Sequence, residues 1–255
     1  MQNQKGYNLA GRKVMIGLPA YDHKVGVKMA ISLMKFAQKV IEHGIQIQVS
    51  SVCGCSVVSR ARNLIAHDFL QSDCDHLMFI DADMSFEPEA LLRLLAWSSE
   101  HAIVAGAYES RKPGKIYILT LAGEGKEVKM NSMGLVKASR VATGFMMIQR
   151  KVFERLRDLH PEWAHKDNLT DKILHGFFDF HLTPEGYIGE DFLFCKRTIE
   201  AGMDDIWIDP TIKLGHMGIH EYESDFGNDT LYPMLDEFSQ QATGTQMELQ
   251  LSAAA

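Results

Sequence analysis

Hydrophobic and polar positions in the first half of the chain switch between two periods. Val14-Met15-Ile16-Gly17-Leu18 is a continuous apolar run closed by Pro19 and predicts a buried strand. Ala30, Ile31, Leu33, Met34, Ala37, Val40 and Ile41 then recur at helical spacing, with Gly44 placed to cap the helix. Ile45, Ile47 and Val49 alternate with polar residues as a half-buried strand. Residues 60–70 read as a second helix. Residues 77–80 form a strand buried on both faces that runs directly into Asp81. Pro88 suits the first turn of a third helix, whose apolar stripe is Leu91, Leu92, Leu94 and Leu95. Residues 103–106 predict a further strand. This rhythm implies a parallel sheet of the nucleotide-binding kind, with ligands at the carboxyl ends of its strands.

The second half breaks the rhythm. Residues 115–121, 127–130, 135–141 and 145–148 read as short β segments, and 152–159 as a short helix. Residues 159–189 are long, aromatic and irregular, a profile that suits a functional loop. Residues 191–201 predict a helix capped by Gly202, and Ile206–Ile208 a short strand. Residues 240–255 turn polar and then Ala-rich, as a frayed or added end does. With no repeat and no linker, the expectation is one domain over residues 1–233 and a tail over 234–255.

Composition narrows the function. The chain has 255 residues, enough for its own core, with 46% hydrophobic and 23% charged residues, an ordinary globular balance. A formal net charge of -7 gives no broad electrostatic footprint for nucleic acid. There is no signal peptide and no apolar run long enough to span a membrane. Cys53, Cys55, Cys74 and Cys195 show no paired C-x-x-C spacing. Cys53 and Cys55 read first as reduced strand or loop residues, and the cytoplasm is the expected compartment. The phosphate-loop motif, a G-x-G-x-x-G after the first strand and a G-x-S-x-G nucleophile elbow are all missing. A diphosphate held by a metal is therefore favoured over one held by glycines.

Four clusters carry candidate chemistry. "DAD" puts Asp81 and Asp83 at a strand end; on an extended segment they would point to the same side and call for a Mn²⁺ or Mg²⁺ ion. "SRARN" opens the second helix with Arg60, Arg62 and Asn63, suited to phosphate oxygens and a base edge and opposed to the helix dipole. "GEDF" starts a helix with Glu190 and Asp191. Acids stabilise a helix start, and a carboxylate there facing a cleft could also serve as a general base. "GHMGIH" presents His216 and His220 between glycines, with His216 a plausible third protein ligand beside the acids.

Taken in order, these segments resemble those of GT-A glycosyltransferases, metal-dependent enzymes with nucleotide-sugar donors, and in particular bacteriophage-encoded ones. The segments are "LPAYD" at the first strand end, "ARN" at 61–63, "DAD" at 81–83, "ATGFMMIQRKVFERL" at 142–156, "GEDFLFCKRTIEAG" at 189–202 and "GH" at 215–216. The resemblance spans residues 14–220. It implies an α/β fold with a Rossmann-like mixed central sheet flanked by helices. Residues 14–110 would form the nucleotide-sugar half and 111–233 the acceptor half. It implies donor contacts at Pro19, Tyr21, Asp22, Arg60, Arg62, Asn63, Asp81 and Ala82, and metal ligands at Asp81, Asp83 and His216. Acceptor contacts would come from Thr143, Gly144 and Phe145, with Trp207 as a stacking residue. Asp191 would be the catalytic base and Glu190 its neighbour in the site. The expected activity is inverting transfer from a UDP-sugar to an acceptor hydroxyl. Hydroxymethylated bases of phage DNA are the candidate acceptor, and host cytoplasm the compartment. A nucleotidyltransferase and a non-catalytic sugar-nucleotide binding protein are the alternatives. The first lacks its glycine-rich basic loop in "PAYDHKVGVK", and the second would leave the E-D helix and the late histidine unexplained.

Overall fold

The structure, a computed structural model, describes residues 7–112, 114–123, 127–184, 186–218 and 221–241. The first half alternates β1 (Lys13–Ala20), α1 (Val27–Glu42), β2 (Gln46–Cys53), α2 (Val58–Gln71), β3 (His76–Ile80), β4 (Met84–Phe86), α3 (Pro88–Trp97) and β5 (Ile103–Ala105). There follow β6 (Leu119–Leu121), β7 (Val136–Val141), β8 (Phe145–Gln149) and α4 (Arg150–Leu159). Two hairpins come next, β9 (Ala164–Lys166) with β10 (Ile173–His175), and β11 (His181–Thr183) with β12 (Gly186–Ile188). The chain ends with α5 (Glu190–Glu200), β13 (Ile206–Ile208), β14 (Leu214–Met217), β15 (Glu221–Ser224) and α6 (Tyr232–Gln241).

The central sheet has eight strands in the order β2-β1-β3-β8-β5-β13-β7-β6. β2, β1 and β3 pair in parallel, as do β5 and β13. Between them β8 runs antiparallel to both β3 and β5. The strand–helix rhythm alone predicted a parallel sheet, and the mixed sheet implied by the family resemblance is the one observed. The insertion positions the site. An antiparallel strand begins where its parallel neighbours end, so Thr143 and Gly144, just ahead of β8, sit at the carboxyl end of β3. The Asp81 amide donates to the Gly144 carbonyl at 3.0 Å.

β3 is buried along its whole length because it feeds two cores. Leu77 and Phe79 join Phe69, Phe153, Phe178 and Phe194 on one face; Met78 and Ile80 join Phe36, Leu91, Leu95 and Phe145 on the other. α3 starts with Pro88 and buries Leu91, Leu94 and Leu95, as the sequence predicts. α1 buries Met29, Ser32, Phe36 and Val40, but Ile31, Met34 and Ile41 are exposed. The helix is as expected, with its inward face turned. The large Phe36 ring takes the core side, and the Ser32 hydroxyl accepts from the Phe86 amide at 3.0 Å.

Other boundaries differ from the sequence expectation. β1 continues through Pro19 to Ala20, held by β2 at Val52 and Cys53. Residues 127–129 carry no strand, and Met130 makes only a single bridge to Val136. Residues 159–189, expected to be irregular, contain the two hairpins and a 3₁₀ turn at Pro161–Trp163. α6 crosses residue 233 into the expected tail, whose residues 242–255 lie outside the described ones.

Candidate active site

Three local rules bring the polar residues to one end of the sheet. β3 ends in Asp81. α2 follows β2, so its first turns, with Arg62, lie at the carboxyl end of the parallel strands. α5 begins at Glu190 directly after the β11–β12 hairpin. The Arg62 side chain is 4% exposed, and its Nη2 donates to Asp81 Oδ1 and Oδ2 at 3.0 and 3.3 Å. Its Nε donates to Glu190 Oε1 at 3.2 Å. Burial works against the guanidinium charge, but the carboxylates of Asp81 and Glu190 outweigh it and raise its pKa. Arg62 Nη1 is buried without a protein partner, which leaves its two N–H groups for a further acceptor.

Asp191 stands next to this bridge. Burial, and then the neighbouring Glu190 carboxylate, push its pKa up to about 6. Its Oδ1 accepts from the Phe192 amide at 2.7 Å, a contact that opposes the rise without cancelling it. A helix-start acid kept for its dipole interaction alone would be held low. A carboxyl poised near 6 can accept a proton at neutral pH.

The two acids of "DAD" do not share one face. Residues 81–84 form a turn rather than an extended segment, closed by the Met84 amide donating to the Asp81 carbonyl at 3.0 Å. The turn parts the side chains, with Asp81 on Arg62 and Asp83 on His216 and Arg111. His216 reaches Asp83 because β14 pairs antiparallel with β4, which aligns His216 with Met84. The Met217 amide also donates to the Asp83 carbonyl at 2.8 Å. His216 Nδ1 donates to the Glu109 carbonyl at 2.7 Å, which fixes the ring and turns Nε2 toward Asp83 Oδ2 at 3.5 Å. Burial alone would raise the Asp83 pKa, but His216 and Arg111 hold it low.

Asp83 and His216 offer one oxygen and one oriented nitrogen on the same small space. Among the described residues no group of three His, Cys, Asp or Glu side chains could hold a metal. Mg²⁺-type ions take one or two protein ligands and fill the rest with water and substrate phosphate. Asp83 and His216 are thus the two side chains that would suit an ion completed by water and a diphosphate. Asp81 is committed to Arg62. His220 lies outside the described residues.

Gly144 sits against both Asp81 and Tyr108. A Cβ there would overlap the Tyr108 hydroxyl and stand 2.8 Å from Asp81 Oδ2, so only glycine fits. Its amide donates to the Tyr108 hydroxyl oxygen at 2.9 Å. Burial and the Asp81 carboxylate raise the Tyr108 pKa well above the ordinary phenol value. Thr143 is buried beside it, with Oγ1 unpartnered. Tyr21 and Asp22 are exposed beyond β1, and their loop is tied over the acids by the Gly26 amide donating to the Ala82 carbonyl at 3.0 Å. Pro19 lies within β1, paired with Val52.

Other residues expected at the site are engaged elsewhere. Arg60 makes a two-pronged pair with Asp167, Nε and Nη2 at 2.7 and 2.9 Å from its oxygens, and touches Cys55 Sγ at 3.3 Å. The Asn63 amide gives and takes one bond each with the Phe178 backbone, both 2.9 Å. It therefore pins the loop rather than facing the acids. A cavity of about 560 Å³ on this side of α2 is lined by Arg60, Asn63, Trp163, Asp167 and Phe178 among others; Arg62, Asp81, Asp83 and Asp191 do not line it. Phe145 is core, packed on Phe86 at 5.1 Å. Trp207 donates to Asp205 and packs on His101, near the amino end of β5 and away from the acids.

Tyr108, Glu109 and Arg111 were not singled out in the sequence. They follow β5 in "GAYESR", the carboxyl end of a parallel strand. The rule that points to Asp81 after β3 points equally to them.

No family model matches the chain, and no curated protein matches it. Its structure is similar to that of A197 from STIV, at 17% identity over 81% of this chain and 86% of the other, with a TM-score of 0.47. It is similar to GalNAc-T7, crystallised with UDP, GalNAc and Mn²⁺, at 13% identity over 91% of this chain and 48% of the other, TM-score 0.49. It is also similar to S. aureus TarS 1-349 in complex with UDP-GlcNAc, at 12% identity over 93% and 68%, TM-score 0.43. This chain thus spans about half the length of the GalNAc-T7 chain. Activity does not follow from likenesses at these values.

Proposed function

We propose that the protein transfers a sugar from a nucleotide-sugar donor, a UDP-sugar, to an acceptor hydroxyl with inversion. The observation that carries this reading is Asp191. It is a carboxyl raised to about 6 beside a buried arginine whose Nη1 is still free to donate, at the sheet end where ligands bind. Asp191 would take the proton of the acceptor hydroxyl as its oxygen bonds to the anomeric carbon. The bond from that carbon to the diphosphate oxygen breaks on the opposite side, and the diphosphate leaves with the electron pair. Arg62, through Nη1, would offset the charge gathering on that leaving group. Glu190 holds Arg62 in place and keeps the Asp191 pKa high. Tyr21, Asp22 and Ala82 would face the donor, and the buried Thr143 and Gly144 would back the acceptor side behind Asp81. A Mn²⁺ or Mg²⁺ ion held by Asp83 and His216 would, when bound, neutralise the diphosphate. Among the described residues no helix is long and apolar enough to cross a membrane. Hydroxymethylated DNA in the host cytoplasm is the acceptor to try first.

The test is transfer and hydrolysis with a panel of labelled UDP-sugars, with Mn²⁺ or EDTA, and with and without hydroxymethylcytosine DNA. Metal-dependent release of UDP with inverted product supports the reading. A product joined through a nucleotidyl group would instead identify a nucleotidyltransferase. Binding without release in any condition would leave a sugar-nucleotide binding protein.

A further inference from the structure

Asp83 already has a cation. Arg111 Nη1 lies 2.9 Å from Asp83 Oδ2, the same oxygen that His216 Nε2 faces at 3.5 Å. A divalent ion bound between that oxygen and that nitrogen would compete with the guanidinium for the same Asp83 oxygen and be repelled by its charge. The two arginines of the site also differ in how firmly they are held. Arg62 is 4% exposed and fixed by two acids, whereas the Arg111 side chain is 55% exposed. The Arg111 stem crosses the end of β14 at Gly218, where a Cβ would come within 3.2 Å of its Cδ, so the bare glycine makes room for it.

We propose that Arg111 is an exchangeable cation. It caps Asp83 while no nucleotide is bound, excluding free metal, and moves to the donor diphosphate when the ion takes its place. This rests on the metal reading above and adds a residue to it. The exchange keeps charge balanced at each stage: the Asp83 carboxylate trades a guanidinium for an ion, and the released guanidinium meets a diphosphate, an acceptor that suits its planar fork. The consequence is coupling. UDP gives Arg111 somewhere to go, so UDP tightens metal binding, and by linkage the metal tightens UDP binding.

The experiment is a Mn²⁺ titration followed by the paramagnetic resonance signal of the free ion. It uses the full chain as wild type, Arg111→Gln, Arg111→Lys and Asp83→Asn, each with and without saturating UDP, with circular dichroism to check folding. Without UDP, Arg111→Gln binds Mn²⁺ about fivefold or more tighter than wild type, the equivalent of releasing one partly exposed ion pair. Arg111→Lys stays near wild type. Adding UDP tightens Mn²⁺ binding more in wild type than in Arg111→Gln. Equal Mn²⁺ affinity for Arg111→Gln and wild type, with Asp83→Asn unable to bind, overturns the exchange and leaves the metal site standing. Undiminished Mn²⁺ binding by Asp83→Asn overturns the metal site itself and the exchange with it.

Discussion

Arg62 spans both oxygens of Asp81 from a single nitrogen, Nη2 at 3.0 and 3.3 Å, while almost wholly out of solvent. Its Nε serves Glu190 at the same time. Removing it would leave two partly buried carboxylates uncompensated. Arg62→Met should therefore lose about 3–5 kcal/mol of stability, and UDP affinity should fall with it. Denaturant melts and UDP titrations on the folded fraction check this. A loss below about 1 kcal/mol would mean that the acids find other partners.

Asp191→Asn separates catalysis from capping. The carboxyl has a folded pKa of about 6 against 3.8 unfolded, so folding favours its protonated form. Its contribution is most favourable below about pH 4 and is lost as pH rises through 6. Asparagine stays neutral and can still accept from the Phe192 amide. At pH 7 the variant should be about 1–3 kcal/mol more stable than wild type, with the gap closing toward pH 4. Turnover should fall at least about 10²-fold with donor affinity held. In wild type, activity should rise with pH through about 6. A helix-capping role alone predicts the reverse: lower stability and near-normal kcat.

Asp83→Ala should abolish metal-dependent transfer and weaken UDP binding while changing stability by no more than about 1 kcal/mol, since Asp83 is itself part-exposed and its nearest cation, Arg111, is exposed. Comparing wild type in Mn²⁺ and in EDTA gives the decisive control. Full wild-type activity in EDTA would remove the metal from the reaction.

Asn63→Ala should destabilise the 163–179 segment. Two buried backbone groups of Phe178 lose their partner, a cost of about 2 kcal/mol or more. Limited proteolysis should show faster cleavage between residues 159 and 189, while the Arg62–Asp81 contact, on another face of α2, persists. Unchanged cleavage would mean that the hairpins are held by other contacts, such as Arg60 with Asp167.

Local chemistry was enough to place much of this molecule. The strand at 77–80, the Pro88 helix, the Gly202-capped helix and Ile206–Ile208 are all visible in apolar period and terminal residues, because neighbours in sequence set those features. The positions of Arg62, Asp81, Glu190 and Asp191 at strand and helix ends follow from the same pattern. What the sequence alone did not decide depends on pairing between distant segments. The inward face of α1 was set by what Phe36 and Ser32 meet, and the period of the helix is silent on that. The place of β8 between β3 and β5 turned an expected parallel run into a mixed sheet and brought Gly144 onto Asp81. The turn at 81–84 sent two acids, one residue apart in sequence, to different partners. His216 met Asp83 only through the β14–β4 pairing, across more than half the chain, and Arg111 reached the same oxygen from beyond β5. Sequence fixes which side chains stand at the ends of elements; which of them meet is decided by strand order and register, which follow from how the whole set of apolar faces is buried together.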